Sequence, residues 1–122
     1  MQNVKNLQVA ERAKTLAVLI YRTTGEFPST ERFGLTAQMR RAALSIGSNI
    51  AEGCGREGDR ELARFVQIAM GSASELDFQC ELAELLEFGS AQALADARVE
   101  VQRVKRMLSR LIVALRPHKV EE

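Results

Sequence analysis

Between residues 94 and 115 the apolar side chains step by three and four: Leu94, Ala97, Val101, Val104, Leu108, Leu111 and Leu115. On an α-helix that spacing makes one continuous seam, whereas on a strand it would scatter the same residues over both faces. A long helix with one apolar seam is marginal in water until the seam is covered, so it demands other helices to pack against. Three further stripes answer it. Val9, Ala13, Leu16, Ala17 and Ile20 line a helix expected from Val4 to Arg22. Leu35, Met39, Ala42, Ala43, Ile46 and Ile50 face inward on a second, with Thr36 as its expected N-cap and its end near Gly53. A third runs from Asp59, taken as N-cap, to about Phe88, and carries Leu62, Phe65, Val66, Ala69, Ala73, Leu76, Cys80, Ala83 and Leu86. Gly25 and Pro28, the run Cys54 to Gly58, and Gly89 followed by Ser90 as a cap separate the four, and Pro117 stops the last. The connector from Thr23 to Leu35 is expected to pack Phe27 and Phe33 over one end.

Four helices with two short connections of three imply an all-α, antiparallel up-down-up-down four-helix bundle, and 122 residues suffice for one such domain, 1–122. The absence of Trp and an aromatic content of 5% agree with aliphatic helix packing. Residues 57–87 hold eight acids against Arg60 and Arg64, while residues 98–119 hold seven bases and only Glu100, which places the third and fourth helices side by side. Both long helices also carry apolar residues beyond one core: Ile68, Phe78, Leu82 and Leu85 on the third, Val99, Ile112 and Val113 on the fourth. Such surplus implies contact with another subunit.

Lys plus Arg (17) nearly cancels Asp plus Glu (16), so no general pull toward nucleic acid or membrane exists and any basic surface is local. Arg98, Arg103, Lys105, Arg106 and Arg110 form one on the fourth helix, available either to phosphates or to the acidic third helix. No apolar run is long enough to span a membrane. Residues 1–20 are interrupted by Lys5, Glu11, Arg12 and Lys14, and with the two thiols Cys54 and Cys80 this leads to an expected reducing, cytoplasmic setting.

The second helix is unusual for its small residues. Ala43, Gly47 and Ala51 recur every four positions and, with Gly71 on the third helix, are expected to let two backbones approach closely. Arg41, Ser45, Asn49 and Glu52 flank them and are expected to meet Arg64, Ser72 and Glu75 in a polar network fixing helix register or a subunit contact, with Arg41–Glu75 and Arg64–Glu52 as its ion pairs. The residues from Gly53 to Gly58 spell GxGxxG, but after a helix and not a strand, so a turn is expected. Gly55 and Arg56 leave a candidate anion site there. His118, the single histidine, stands in the tail, so no histidine dyad or multi-histidine metal site is available, and no cofactor is expected. Glu81 with Glu84, or Glu84 with Glu87, have carboxylate spacing seen in diiron bundles, but no Glu-x-x-His accompanies them.

Three segments carry a family resemblance: E-x-x-G-L-T-x-Q-x-R-R-A from Glu31, S-I-x-x-N-I-A-E-G-x-G-R from Ser45, and R-F-x-x-I-A-x-G-S-x-x-E-L from Arg64. Together they resemble the intervening-sequence proteins, encoded within inserts of bacterial large-subunit ribosomal RNA genes. The resemblance implies a four-helix bundle assembling as a ring, typically a pentamer, with no assigned catalytic residue. That family is also similar to the accessory protein of diversity-generating retroelements, a basic pentamer that binds a reverse transcriptase and nucleic acid, from which this near-neutral chain departs. The expected function is therefore a noncatalytic homo-oligomeric scaffold for an RNA, DNA or protein partner. The alternatives are a nucleic-acid-binding accessory using the fourth helix, and a small-molecule binder or enzyme at Arg41, Glu52 and Glu75.

Overall fold

The computed structural model describes residues 4–117. Among these, α1 (Val4–Thr24), α2 (Leu35–Cys54), α3 (Gly58–Leu85) and α4 (Ala91–Ala114) are α-helices, Ser29–Glu31 makes one 3-10 turn, and no strand occurs. α1 lies against α2 and α4, α3 lies against the same two, and the backbones of the diagonal pairs stay apart. Direction follows from which residues meet. Ala13 faces Gly47 while Tyr21 and Thr24 receive Arg40, so α1 and α2 run oppositely. Ser45 with Ser72 and Gly53 with Phe65 give the same result for α2 and α3, as do Arg98 with Glu84 and Lys105 with Asp77 for α3 and α4. The bundle is the antiparallel one the stripes require.

Its core is aliphatic. Leu16, Ile20, Met39, Ile46, Ile50, Leu62, Leu76, Leu94 and Leu108 are fully buried, each side chain contributing about 1.5–3 kcal/mol relative to exposure. Ala43, Ala69, Ala73, Ala83 and Ala97 fill the remaining core positions without pushing the helices apart. Leu86 departs from expectation at 49% exposure, because α3 ends at Leu85 and the chain leaves the helical path before the stripe returns inward.

The helix ends show where local chemistry overrode the residue-type rules. Thr36 is not the N-cap of α2: Gly34, two residues earlier, holds that position, and Glu31 reaches forward from the 3-10 turn so that its Oε1 accepts the Leu35 N–H at 3.1 Å. Asp59 likewise falls inside the first turn of α3, where its charge still favours the helix N-terminus. Ser90 does cap α4, its Oγ accepting the Ala93 N–H at 3.1 Å. α3 closes with the Phe88 N–H on Ala83 O and the Glu87 N–H on Glu84 O, a Schellman pair in which Glu87 takes the left-handed closing position at φ 58°, two residues before the also left-handed Gly89. A side chain there costs about 1 kcal/mol or more, partly offset by the greater unfolded-state freedom of glycine. Glu87→Gly is therefore expected to raise stability by up to about 1 kcal/mol in urea titration.

One end of the bundle is locked by aromatic packing. Phe27 is buried, its ring 5.6 Å from that of Phe88, and Gly89 at φ 64° lies so close that a Cβ would stand 3.1 Å from Phe27 Cδ1. Phe33 does not join this packing as expected. It is 83% exposed, with the Arg32 guanidinium 4.6 Å above its ring.

Candidate functional site

On the outer face of α2 and α3 the small polar residues converge. Ser45 Oγ and Ser72 Oγ lie 2.8 Å apart, and Asn49 Nδ2 donates to the Ser45 carbonyl at 2.8 Å and to its Oγ at 3.0 Å. One residue of α3 is thereby tied to a turn of α2, which fixes their relative register. The two ion pairs expected across this seam do not form. Arg41 donates to Gln38 at 2.7 Å, Arg64 to Glu61 at 3.3 Å, and Arg56 to Glu52 at 3.0 Å, each partner being three or four residues away on its own helix or its immediate extension. Such a neighbour is reached without stretching across a groove, and an exposed pair contributes only about 0.2–1 kcal/mol either way. Glu75 is exposed and has no ion pair or hydrogen bond among the described residues.

The glycines divide differently from the expected stripe. At Gly47 an added Cβ would touch Ala13 Cβ at an ordinary 3.6 Å, and so Gly47 faces α1, while Gly71 opens to solvent with nothing within 4 Å. Ala51 is exposed and Ala43 is in the core. Gly53 is the true close approach: a Cβ there would sit 2.8 Å from Phe65 Cβ and 3.0 Å from Leu62 Cδ1. The GxGxxG stretch is a turn, with Gly55 capping α2 and Gly58 at φ 82° opening α3. Arg56 and Arg64 both stack on the Phe65 ring, at 5.3 and 4.6 Å, so the Arg56 guanidinium beside Gly55 is held by Glu52 and an aromatic face.

The two cysteines are free. Burial, reinforced by the negative charge of Asp77, pushes the Cys80 thiol up to about 12, so it stays protonated and unreactive. Because an unfolded thiol ionises near pH 8.5 and the folded one does not until about 12, stability at this site falls with rising pH across that window. Native protein at pH 8 is expected to release one equivalent in a thiol-reagent assay, from half-buried Cys54, and two after denaturation; rapid native labelling of both would contradict the burial.

The basic residues of α4 split into two sets. Arg98 turns to α3, lying 3.1 Å from Glu84, 3.5 Å from Glu81 and 3.8 Å from Asp77; the hydrogen bond to Glu84 leads the causes that raise its pKa further. Lys105 joins Asp77 at 3.8 Å, and Gln102 donates to the same carboxylate at 2.9 Å. Arg103 instead points toward α1, pairing at 2.7 Å with Glu100, which also receives Arg12 at 3.4 Å. Arg106 and Arg110 are exposed and have no ion pair or hydrogen bond among the described residues.

Two residues outside the expected set matter here. Arg12 completes the α1 side of that cluster, and the lone acid Glu100 within a basic run was the signal for it. Arg40 donates to Thr24 Oγ1 at 2.9 Å and to the Tyr21 carbonyl at 3.2 Å, closing the C-terminus of α1. His118 lies outside the described residues, among which no group of three or more His, Cys, Asp or Glu stands close enough to hold a metal ion. No helix among them is long and apolar enough to cross a membrane.

Fold and surfaces together define an antiparallel four-helix bundle with many of its charged and polar groups paired on its outer faces, and with Glu75, Arg106 and Arg110 left unpaired among the described residues. The model of the 23S rRNA-intervening sequence protein family matches residues 5–110, and the chain belongs to that family. It is also similar to a crystal structure, at 1.70 Å resolution, of a protein of unknown function from the S23 ribosomal protein family of Bacteroides thetaiotaomicron VPI-5482. The two superpose with a TM-score of 0.80 at 21% identity, over 90% of this chain and 99% of the other, a likeness of fold. No curated protein matches the sequence.

Proposed function

We propose that the protein is a noncatalytic scaffold that assembles with copies of itself and presents its remaining surface to a macromolecular partner. The observation that carries this reading is the outward face of α3, where Ile68, Phe78 and Leu85 are 43%, 66% and 80% exposed along a helix whose other side is already buried in its own bundle. α4 adds Val99 and Val113, each more than half exposed. Apolar residues aligned on a face are a recognised mark of subunit contact. Ser45, Asn49 and Ser72 serve register within one copy, while Arg41 and Glu75, which do not pair with each other, are left for the contact between copies. The groups named for a small-molecule site favour this reading, because Arg41 and Glu52 each bond to a local neighbour, Glu75 has no partner among the described residues, and the three do not converge on a common point. Multi-angle light scattering tests it: a mass near five times the 13.5 kDa chain is expected from the family resemblance, and a clean monomer at micromolar concentration overturns it.

A further inference from the structure

We infer that the groove between α1 and α4 binds a chain of phosphate groups. It is an open groove of about 690 Å³ whose walls include Gln8 and Arg12 from α1 and Arg103, Met107 and Arg110 from α4. A smaller hollow of about 130 Å³, between Gln8, Met107, Arg110 and Leu111, continues it. Arg106 lies three residues after Arg103 and four before Arg110, on the same side of the helix. The three form a row about 10 Å long at 1.5 Å rise per residue, with Arg12 facing it from the neighbouring helix.

Charge distinguishes this groove from the rest of the surface. Elsewhere on α3 and α4 and in the turn between α2 and α3, most basic residues are consumed, Arg98 by three carboxylates, Lys105 by Asp77, Arg56 by Glu52 and Arg64 by Glu61, with Arg60 standing apart from them. Here Arg12 and Arg103 share the single carboxylate of Glu100, Glu11 at the groove wall is taken by Lys14, and Arg106 and Arg110 have no partner among the described residues. A chain of net charge +1 thus places the guanidiniums of Arg12, Arg103 and Arg110 on the walls of one groove, where field lines focus, with Arg106 beside them on α4. Guanidiniums present planar forks suited to phosphate oxygens, and a row of them at regular helical intervals fits a ligand carrying repeated charges better than one carrying a single charge. No aromatic ring lines the groove, so the ligand is held by its phosphates and not by base stacking. The set differs from the basic helix read in the sequence, since Arg98 and Lys105 drop out and Arg12 enters from α1. This inference deepens the scaffold reading by giving the presented surface a ligand chemistry.

Fluorescence anisotropy with a labelled single-stranded oligoribonucleotide, with unlabelled inorganic polyphosphate as competitor, provides the test. Affinity is expected to fall with salt, and Arg106→Gln with Arg110→Gln to weaken binding at least about tenfold at low salt and flatten the log–log salt slope by about 1.4, or 0.7 per lost contact. Arg12→Gln is expected to weaken it as well, whereas Arg32→Gln, in the exposed connector at the opposite end of the bundle, leaves it within about twofold, as one charge remote from the groove should. Displacement by polyphosphate at equal charge assigns the site to phosphate charge alone, and resistance to displacement assigns it to a nucleic-acid strand. Absence of binding at about 50 mM salt, or unchanged affinity in the Arg106/Arg110 double variant, overturns the groove. Both arginines are exposed and unpaired, so circular dichroism should show the double variant folded. Light scattering on the same samples separates the two readings: lost binding at unchanged mass removes the groove alone, and intact binding by a monomer removes the scaffold alone.

Discussion

Gly53→Val is expected to lower the stability of the bundle by about 3 kcal/mol, the upper end of what overpacking a well-filled core costs. The effect comes from where the atoms fall. A Cβ at this position meets Phe65 Cβ at 2.8 Å, an atom fixed to the α3 backbone, so no flexible side-chain end can swing aside and the two helices themselves must separate. Phe65 is in turn pinned beneath Arg56 and Arg64. Gly53→Ala isolates the two opposing terms: about 2 kcal/mol of strain, offset by about 1 kcal/mol of improved helix propensity, for a net loss near 1 kcal/mol. Gly47→Ala and Gly71→Ala supply the contrast, because an added methyl there meets an ordinary contact or open space and each change should stabilise by about 0.5–1 kcal/mol. Urea unfolding with unchanged m-values would measure all four. If Gly53→Val is no worse than Gly71→Val, the close approach at the end of α2 is not what holds α2 to α3.

This contrast also shows what a sequence carries and what it withholds. The apolar stripes on all four helices were legible because burial depends on period, and every residue placed on them is buried or half-buried except Leu86. Leu86 failed because its helix closes through Glu87 in a left-handed conformation, a choice made by backbone hydrogen bonding that residue type disfavours. Thr36 and Asp59 failed as caps for a related reason. Glu31 is held by the 3-10 turn close enough to Leu35 to take the capping role, and nothing in residue identity announces that geometry.

Residue spacing assigned a close approach to Ala43, Gly47, Ala51 and Gly71, whereas the tight contact falls at Gly53. Whether a missing side chain marks an approach depends on what stands opposite, which is decided by register. The same limit governed the polar face. Hydrogen bonds over small side chains, Ser45 to Ser72, followed from the two helices meeting at all, whereas the long arginines had several partners within reach and took the nearest on their own helix. The groove between α1 and α4 lay further from view, since its residues are separated by about ninety positions and are joined only once Arg12 reaches Glu100.

On the proposed contact between copies, Ile68→Glu with Phe78→Glu is expected to leave monomers, each bundle still folded. In the single chain these side chains are already 43% and 66% exposed, so charging them removes little internal packing, and glutamate is a good helix former at an exposed position. Between copies the balance is different. Covering the remaining half or so of two large apolar side chains contributes about 2–3 kcal/mol per subunit contact, a factor of about 30–150 in the dissociation constant. Two glutamates forfeit that and must also be desolvated against whatever opposed the ring and the isoleucine, next to Glu75, a like charge that already stands unpaired on this helix. Light scattering should therefore show a monomer at concentrations where the unaltered chain is assembled, with helical circular dichroism retained. An assembly of unchanged mass would mean that copies meet elsewhere, with Val99 and Val113 on α4 the next face to charge. Loss of both mass and helicity would mean that the bundle depends on its neighbours to fold, which a core closed by Leu16, Ile46, Leu76 and Leu108 argues against.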